Sequence, residues 1–457
     1  MLSPTADVTH LRELYVGKPI SSLPTPSAIV DRAKVRQNCA AMLNVCKELG
    51  VGFRAHVKSH KTLEIAKLQV GHDTSRPANF IVSTLAEAER LAPLATAYAS
   101  KGRKCNILYG VPLPSSSFPR LLTLASALPP STLSILIDNP YSITQFHAYL
   151  LSTPLPANLR IGVFIKIDTG YARAGIPPSS PLLPSLVDTI TSFATHLPLL
   201  GLYSHYGHSY AGTTPTDATS GLLAELAGLE TALSSLPAPS RSTLILSVGA
   251  TPTATSAQLL TSSTNTTPSS AALHAMLTRL GHARVELHAG VYPLLDLQQL
   301  ATHARPASTL SYASLALRVL TEITSTYPDR SPPEALTTAG CLAMGREPCR
   351  AYDGWGVVSN PKISGVYDIS VSEGERKGWV MGRVSQEHGV LMFRGGKEGE
   401  GEGREEWQVG DKVLLWPNHA CVAGAGFGWY CVVDSDEGGE EEDEERVVDV
   451  WVRGRGW

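Results

Sequence analysis

From Pro26 to Asp296, short apolar runs rich in Val, Ile and Leu alternate with longer segments in which apolar residues recur every three or four positions. Such alternation predicts buried parallel strands that are joined by helical crossovers. Eight or nine such units over about 270 residues favour an α/β fold of the TIM type, a (β/α)8 barrel, although the periodicity alone also fits an open doubly wound sheet. The predicted strands are Ser27–Val30, Val51–Val57, Asn79–Ser83, Asn106–Gly110, Leu133–Ile137, Gly162–Ile167, Leu199–Ser204, Leu244–Val248 and Val285–His288.

The pattern changes after about Leu300, where short apolar runs are separated by Gly, Pro and charged turns. This pattern predicts a C-terminal antiparallel β domain. Its predicted strands are Leu315–Ile323, Gly378–Val384, Val390–Arg394, Lys412–Trp416, Gly428–Val433 and Val447–Arg453. We therefore expect an N-terminal segment, 1–25, that packs on the β domain, a barrel over 26–300, and the β domain over 301–457. Three stretches resemble insertions: Ser/Thr-rich 262–272, Gly/Glu-rich 395–406 and acidic 434–445, the last predicted to be a solvated hairpin loop.

The bulk properties exclude several classes of function. A chain of 457 residues is too long for one ordinary core and predicts two domains. The formal net charge of −3 creates no field that would attract nucleic acid or a membrane surface. No apolar run is long enough for a spanning helix, and the N-terminus lacks the apolar core of a signal peptide. Seven cysteines, an odd number spread thinly, indicate a reducing compartment, so we expect a cytoplasmic protein.

A lysine flanked by two histidines follows an early predicted strand, in the segment Phe53-Arg54-Ala55-His56-Val57-Lys58-Ser59-His60-Lys61-Thr62. Side chains at the C-terminal ends of barrel strands point into the active-site mouth. Partial removal of Lys58 from water there would favour the neutral amine, which can form a Schiff base. A lysine at a strand end more often serves the fold or the surface, so the position alone does not decide its role.

A second segment, Ser247-Val248-Gly249-Ala250-Thr251-Pro252-Thr253, closes a late predicted strand. Small residues with accessible backbone N–H groups, followed by hydroxyls, can hold a phosphate group. TIM barrels commonly bind phosphate after their seventh and eighth strands, which is where this segment falls. The segment therefore predicts a phosphate site, although a Gly-Ala-Thr sequence also occurs in ordinary turns.

A third segment, Pro417-Asn418-His419-Ala420-Cys421, follows a predicted strand of the β domain. In an extended segment, residues two apart point to the same side, so His419 and Cys421 could face one metal ion. An imidazole and a thiolate suit zinc better than magnesium or manganese. Two protein ligands leave coordination positions open, as a catalytic zinc site requires. The alternative is a core cysteine that happens to lie near a histidine.

These weak signals become specific because they occur with others in a fixed order along the chain. The motifs are Thr25-Pro26, Asp31, Asn38, His56–Thr62, Lys166–Gly175, Gly201–Tyr210, Ser247–Thr253, Glu286–Tyr292 and Pro417–Cys421. Those up to Lys166–Gly175 resemble the alanine-racemase-like barrel of the fold-type III pyridoxal-phosphate (PLP) enzymes. The later motifs are similar to the eukaryotic D-serine dehydratase branch of that group. The resemblance covers about Thr25 to Asp434, which is essentially the whole chain.

The resemblance implies two cofactors, PLP and zinc, and a set of residues that hold them. Lys58 would carry PLP as a Schiff base and, when released, would act as the catalytic base that removes the α-proton of the substrate. His419 and Cys421 match the family's zinc ligands. The implied reaction converts D-serine into pyruvate and ammonia, with zinc assisting loss of the β-hydroxyl, in a head-to-tail homodimer. The remaining cofactor contacts implied are Tyr203, Tyr210, Gly249, Ala250, Thr251 and Tyr292.

The sequence departs from the family's pattern at several positions. Val291 stands where Asn is usual, and Thr337-Thr338-Ala339-Gly340 lacks an acidic residue, which puts substrate preference in more doubt than cofactor binding. Ala250 replaces a common Ser or Gly, a change of little consequence if the backbone N–H binds phosphate. Ser247 lies roughly where alanine racemases place an arginine beside the pyridine nitrogen, which weakens a racemase interpretation.

Two other functions remain open at this point. One is a D-threonine aldolase or a lyase of another D-3-hydroxy amino acid, such as D-threonine or 3-hydroxy-D-aspartate. The aldolases generally have Asp at the position of Cys421, so the cysteine favours the dehydratase. The other is a non-catalytic PLP-binding protein, but such proteins consist of the barrel alone. Several neighbouring polar residues could serve either the site or the fold, and we expect Asp168 and Arg173 to pair; the others are His56, His60, His205, His208 and His388.

Overall fold

The computed structural model describes residues 6–237, 241–260, 268–395, 406–437 and 445–457. The described chain divides into two units. The barrel unit comprises residues 39–290 and 454–457, and the sheet unit comprises residues up to 38 together with 291–453. The three predicted insertions, at 262–272, 395–406 and 434–445, each lie partly outside the described residues.

The barrel unit contains eight parallel strands that close on themselves, whereas the first strand of the chain, β1 (Ser27–Asp31), belongs to the sheet unit. The barrel strands are β2 (Gly52–His56), β3 (Ala78–Val82), β4 (Cys105–Pro112), β5 (Leu133–Ile137), β6 (Gly162–Lys166), β7 (Leu199–Tyr203), β8 (Ile245–Val248) and β9 (Val285–Ala289). Pairing of β9 with β2 closes the ring, with Gly52 opposite Glu286. The predicted barrel is therefore confirmed.

Helices connect the barrel strands, as the apolar spacing predicts. The chain enters the barrel through α2 (Arg32–Glu48), after α1 (Val8–Tyr15) in the sheet unit. The further helices of the barrel unit are α3 (Leu63–Val70), α4 (Leu85–Ser100), α5 (Phe118–Ala127), α6 (Pro140–Leu151), α7 (Leu182–Ser192), α8 (Pro215–Ser234), α9 (Thr251–Ser256) and α10 (Pro268–Leu280). None of the described helices combines the length and apolarity that crossing a bilayer requires.

Side-chain caps fix the points at which several crossover helices begin. Thr62 and Thr84 each accept a hydrogen bond from a backbone N–H in the first turn of α3 and α4. Thr214 and Asp217 form a reciprocal capping box at the start of α8. Such caps satisfy backbone donors that would otherwise lack partners. Helix α8, which carries Glu225, therefore starts at a defined residue.

The sheet unit contains nine strands, which include β1. The others are β10 (Leu317–Tyr327), β11 (Glu334–Thr337), β12 (Gly356–Val358), β13 (Gly378–Val384), β14 (Gly389–Arg394), β15 (Lys412–Pro417), β16 (Trp429–Val433) and β17 (Asp449–Val452). Their order is β11-β14-β13-β12-β15-β10-β1-β16-β17, and β11 also pairs with β10, so that six of the strands form a ring. Every pair is antiparallel except β1 with β16. This confirms the predicted C-terminal antiparallel β domain. Three short helices complete the unit: α11 (Leu297–Leu300), α12 (Cys341–Met344) and α13 (Ala420–Ala425).

The structure differs from the sequence-based expectation at two places. The run Ser27–Val30, expected in the barrel, pairs with β10 and β16 in the sheet unit. A short buried run fits either kind of sheet, and its periodicity does not identify its partners. Strands β11 and β12 were not predicted, because runs of four and three residues are too short to show a period. The N-terminal helix α1 lies in the sheet unit, where Leu11 packs in an apolar cluster with residues of β16 and β17.

Candidate active site

Lys58 lies just beyond β2, at the C-terminal end of the barrel strands, and is partly buried. Gly290 faces it, since a Cβ built on Gly290 would lie 3.2 Å from Cε of Lys58. The backbone carbonyl of Gly290 accepts a hydrogen bond of 2.8 Å from the hydroxyl of Ser59. The loop after β9 is thereby fixed beside the lysine, and the absence of a side chain at residue 290 leaves room for the lysine stem.

Three histidines line the same end of the barrel, and burial keeps all three neutral. Burial, together with the nearby charges of Lys58 and Arg173, lowers the pKa of His205 to about 3. Burial also holds the pKa of His56 and of His288 well below the usual range. The backbone N–H of Lys58 donates to Nδ1 of His56 (3.3 Å), and Nδ1 of His205 donates to the carbonyl of Gly249 (2.9 Å). Uncharged imidazoles can accept or donate hydrogen bonds here without adding positive charge.

Tyr203 ends β7 and stacks on the ring of His288 in β9, with centroids 4.4 Å apart and an interplanar angle of 3°. Nζ of Lys166, at the end of β6, lies 5.0 Å from the centre of the Tyr203 ring. Burial and the nearby guanidinium of Arg173 lower the pKa of Lys166 to about 8. Tyr203 therefore lies at the C-terminal end of the barrel, between an imidazole and a second lysine that sequence reasoning did not single out.

A chain of hydrogen bonds fixes His288 from inside the barrel. Arg54 forms an ion pair with Glu286 (Nε to Oε1, 2.5 Å), and both side chains are almost fully buried. The hydroxyl of Ser247 donates to Oε1 of Glu286 (3.0 Å) and lies 3.1 Å from Nδ1 of His288. The Ser247 hydroxyl donates its only proton to Glu286, so its oxygen accepts a hydrogen bond from Nδ1–H of His288. His288 is therefore protonated on Nδ1, and its Nε2 carries the lone pair. Nε2 has no hydrogen-bond partner among the described residues.

The predicted phosphate loop follows β8 and begins α9. Gly249 has φ +139°, and a Cβ there would lie 2.3 Å from the carbonyl oxygen of His288. Only glycine tolerates both that conformation and that approach. The N–H of Gly249 donates to Glu225 (3.2 Å), and the N–H of Ala250 donates to the hydroxyl of Thr253 (2.9 Å). Both donors that were expected to bind phosphate are thus already engaged within the protein.

Glu225, on α8, is the clearest residue that sequence reasoning missed. Its side chain is fully buried, and burial raises the pKa of its carboxyl to about 7, while hydrogen bonds from Gly249, Ser204 and Thr253 oppose the rise. A signal existed in the sequence: Glu225 lies on the apolar face of the helix, at helical spacing from Leu222 and Leu229. A charged residue on a buried stripe needs partners, and here the partners belong to the predicted phosphate loop.

Three of the predicted cofactor residues, Tyr210, Tyr292 and Thr251, lie after strands of the barrel. Tyr210 lies in the 3-10 turn Gly207–Ala211, which follows β7 in the barrel unit. Tyr292 follows β9 and is buried, at the beginning of the sheet unit's second segment. Thr251, the third residue of the phosphate loop, is the first residue of α9 and is also buried. The three predicted tyrosines, Tyr203, Tyr210 and Tyr292, thus end or follow a barrel strand at its C-terminal end.

In the sheet unit, the structure corrects the local geometry predicted for His419 and Cys421. Strand β15 ends at Pro417, His419 is the residue before α13, and Cys421 lies in the first turn of that helix. The pair therefore spans a strand-to-helix turn rather than an extended segment, and the argument from strand alternation does not apply. Both side chains are partly exposed. No cluster of three or more His, Cys, Asp or Glu side chains that could hold a metal occurs in the described part of the chain.

The turn that carries His419 and Cys421 is held by two buried side chains. Asp296 accepts the N–H of Ala420 (2.9 Å) and caps the start of α11 through Gln299 (2.9 Å). Burial raises the pKa of Asp296 to about 7. Asn418 donates to two backbone carbonyls, of Glu347 and Gly354, at 3.0 and 2.7 Å. The two candidate ligands thus project from a rigid turn.

Several other predicted residues serve the fold. Asp168 and Arg173 do not pair: Asp168 accepts the N–H groups of Gly170 and Ala172, and the guanidinium of Arg173 lies over the ring of Tyr171. The expected ion pair is wrong because the turn between the two residues supplies backbone N–H donors to Asp168.

The remaining histidines differ in their surroundings. His60 is buried, accepts the N–H of Thr62 at Nδ1 (3.1 Å) and bonds Gln69 through Nε2 (3.0 Å), so it fixes the start of α3. His208 packs on Tyr206, with ring centroids 3.6 Å apart, and its Nδ1 has no hydrogen-bond partner among the described residues. His388 is exposed in the tight turn between β13 and β14.

Comparison with known proteins agrees with this architecture. The family model described as "Alanine racemase, N-terminal domain" matches residues 30–267, and the model "Putative serine dehydratase domain" matches residues 316–433. The D-serine dehydratase of Schizosaccharomyces pombe is 34% identical over 98% of this chain and 95% of its own length. The chain belongs to the D-serine dehydratase family. A second member of this family, from Saccharomyces cerevisiae, is 32% identical over 97% of this chain and 98% of its own length.

Solved structures place the D-serine dehydratase family's fold in a wider group. D-threo-3-hydroxyaspartate dehydratase from Delftia sp. HT23 superimposes with a TM-score of 0.73 at 27% identity, covering 96% of this chain and all of that one. Two variants of that dehydratase have also been solved. In one, a histidine is replaced by alanine. In the other, which is in the metal-free form, the cysteine two positions after that histidine is replaced by alanine. The spacing of that pair is the spacing of His419 and Cys421.

Proposed function

We propose that this chain is a D-serine dehydratase that uses PLP and zinc to convert D-serine into pyruvate and ammonia. The observation that carries the proposal is the position of Lys58 at the C-terminal end of the barrel, beside Gly290 and among neutral histidines, in a chain of this family. Full-length similarity to named D-serine dehydratases supports the substrate. The closest rival substrate is D-threo-3-hydroxyaspartate, given the relative that dehydrates it.

The residues at the barrel mouth fit PLP. Nδ1 of His208, Oγ of Ser209 and Nε2 of His288 are buried polar atoms without hydrogen-bond partners among the described residues. Such atoms are costly unless a polar ligand satisfies them. When bound, PLP supplies the electron sink that makes the α-proton of an amino acid acidic. Lys58 would bind it covalently, with Tyr203 and Tyr210 as further contacts.

The chain's own residues would then move the proton and exclude water. Nζ of Lys58 would take the α-proton of the substrate as a general base. The ring of Tyr203, held flat against His288, would form a wall of the pocket. The neutral histidines would shape the pocket without adding positive charge, which would make Lys58 a weaker base. Gly290 would keep the path of the lysine stem open.

The phosphate of PLP would be held by Gly249, Ala250, Thr251 and Tyr292. The N–H groups of Gly249 and Ala250 already donate hydrogen bonds within the protein, and this changes the way in which the loop would hold the phosphate. The first two residues would contribute close backbone approach, which their small size permits, and the hydroxyls of Thr251 and Tyr292 would contribute hydrogen bonds. The buried carboxyl of Glu225, which accepts the N–H of Gly249, lies directly behind this loop.

A zinc ion would be held by His419 and Cys421, since imidazole and thiolate are a donor set that zinc prefers. It would supply Lewis-acid assistance to the departure of hydroxide, which is a poor leaving group. Asp296 and Asn418 would keep the two ligands oriented, a role that residues around metal ligands commonly have. A homodimer in the cytoplasm completes the proposal; all seven cysteines are free, which supports a reducing location.

The test is pyruvate release by purified protein loaded with PLP and zinc, from D-serine against L-serine, with and without EDTA. We expect release from D-serine alone, lost on chelation and restored by zinc. Cys421→Ala should abolish it, whereas Cys341→Ala, a control at another partly exposed cysteine of the sheet unit, should not. A silent assay with Schiff-base absorbance present would contradict the dehydratase. D-threo-3-hydroxyaspartate and D-threonine would then be tried, with glycine release marking an aldolase.

A further inference from the structure

The buried carboxyl of Glu225 gathers hydrogen bonds from both sides of the predicted phosphate loop. Its Oε1 accepts from the N–H of Gly249 (3.2 Å) and from the hydroxyl of Ser204 (3.2 Å). Its Oε2 accepts from the hydroxyl of Thr253 (3.3 Å). The hydroxyl of Thr169, 2.6 Å from that of Ser204, donates to it, because the proton of Ser204 is used on Glu225. The carboxyl thus joins the loop to the end of β7.

The loop has two complete hydrogen-bonding arrangements that differ by one proton. Oγ1 of Thr253 accepts the N–H of Ala250 and lies 3.3 Å from two acceptors, Oε2 of Glu225 and the carbonyl of Ala250. When Glu225 is ionised, the Thr253 hydroxyl donates to it. When Glu225 is protonated, its O–H can donate to Thr253, whose own proton then turns to the carbonyl of Ala250. No buried group loses its partner in either state.

Burial and the groups facing Glu225 act in opposite directions on its pKa, and the balance lies near neutral pH. Burial raises the pKa of Glu225 to about 7, against the lowering effect of its three hydrogen-bond donors and of the amine of Lys166. Among the described residues, the phenols of Tyr203 and Tyr206 also interact with it; burial and Glu225 raise the pKa of both, so both stay neutral. Lys166 itself is flanked by Arg173, Asp138 and Asp168.

We propose that Glu225 is a positioning residue whose protonation state sets the phosphate affinity of the loop Gly249–Thr251. This inference rests on the proposed function, because it assumes that the loop holds the phosphate of PLP. An ionised carboxylate directly behind the loop repels a phosphate dianion, and the protonated form does not. The loop therefore binds phosphate more tightly when Glu225 carries its proton, and bound phosphate in turn favours protonation.

The experiment compares PLP affinity of wild type and Glu225→Gln from pH 5.5 to 9, using Schiff-base absorbance during titration of the apoprotein. The glutamine amide can donate to Thr253 and accept from Gly249 and Ser204, so it reproduces the protonated arrangement at every pH. Titrations of PLP and Lys58 affect both proteins and cancel in the ratio of their Kd values. Glu230→Gln is the matched control, because Glu230 lies on the same helix in a surface pair with Arg279.

We expect the ratio of wild-type Kd to Glu225→Gln Kd to be near one at low pH. It should rise above a pH of about 7, by up to about tenfold per pH unit, the limit for a site that binds only the protonated form. Ser204→Ala removes a donor to the carboxylate, so the rise should begin at higher pH. Parallel profiles of all variants, with PLP bound, would overturn the inference alone. A wild type that takes up no PLP at any pH would overturn the proposed function, and the inference with it.

Discussion

Substituting alanine for Gly290 tests whether the space at residue 290 is what lets Lys58 reach its place. A Cβ there would lie 3.2 Å from Cε of Lys58 and 3.4 Å from Cβ of His56. Carbon atoms in contact prefer about 3.5–4.0 Å, so the stem of Lys58 would have to move by about 0.3–0.8 Å. A displacement of about 1 Å at a reacting group can cost about 100-fold in rate. We therefore expect Gly290→Ala to lower kcat for pyruvate release from D-serine by about tenfold.

The same substitution should change stability little, because the group that must move is the end of a flexible side chain. We expect the free energy of unfolding in urea to change by less than about 1 kcal/mol. Gly365→Ala is the control, since a Cβ at this exposed glycine would meet nothing within 4 Å. Full kcat and unaltered Schiff-base absorbance in Gly290→Ala would refute the reasoning. A large loss of stability would show instead that the clash falls on the backbone.

Three further predictions concern the barrel unit, each measured by urea unfolding. Gly249→Ala should cost more than about 3 kcal/mol, because its Cβ would overlap the backbone of His288, whereas Gly102→Ala, also at positive φ but in open space, should cost about 1–2 kcal/mol. Arg54→Met should cost about 3–5 kcal/mol, because it leaves Glu286 charged and buried. Lys166→Met should remove a pH dependence of stability, because the pKa of Lys166 falls from 10.5 to about 8 on folding. The free energy of unfolding of the wild type, relative to this variant, should therefore drop by about 3 kcal/mol as the pH falls from above 10.5 to below 8. A flat difference would contradict it.

Most of the fold was predictable because strands that are buried on both faces stand out as short apolar runs. All eight barrel strands coincide with predicted runs, and β13 has the predicted bounds, Gly378–Val384. The partner of a strand is not encoded in its period, which explains why the run Ser27–Val30 was expected in the wrong sheet. Strand pairing depends on contacts between residues far apart in sequence, and one sequence does not display these.

Some residues of the candidate site could be proposed from the sequence, and others could not. Lys58, Gly249 and His419 stand in recognisable motifs, so the sequence alone is enough to propose them as site residues. Glu225 stands in no motif, and only its place on the apolar face of a helix marks it. Its role depends on which loop that face packs against, and this is a property of the folded barrel.

The electrostatics of the barrel mouth follow from burial rather than from the count of basic residues. His56, His205 and His288 are potential cations, and their burial holds the pKa of each far enough below neutrality that none carries charge. The cationic side chains that remain near the mouth are those of Lys58, Lys166 and Arg173. Because an uncharged imidazole still offers a donor and an acceptor, the histidines can orient a ligand without fixing its charge. A site that holds an anionic cofactor beside a lysine base needs hydrogen-bonding groups that carry no charge. Each additional cation would attract the anion, but it would also make the lysine less able to accept a proton.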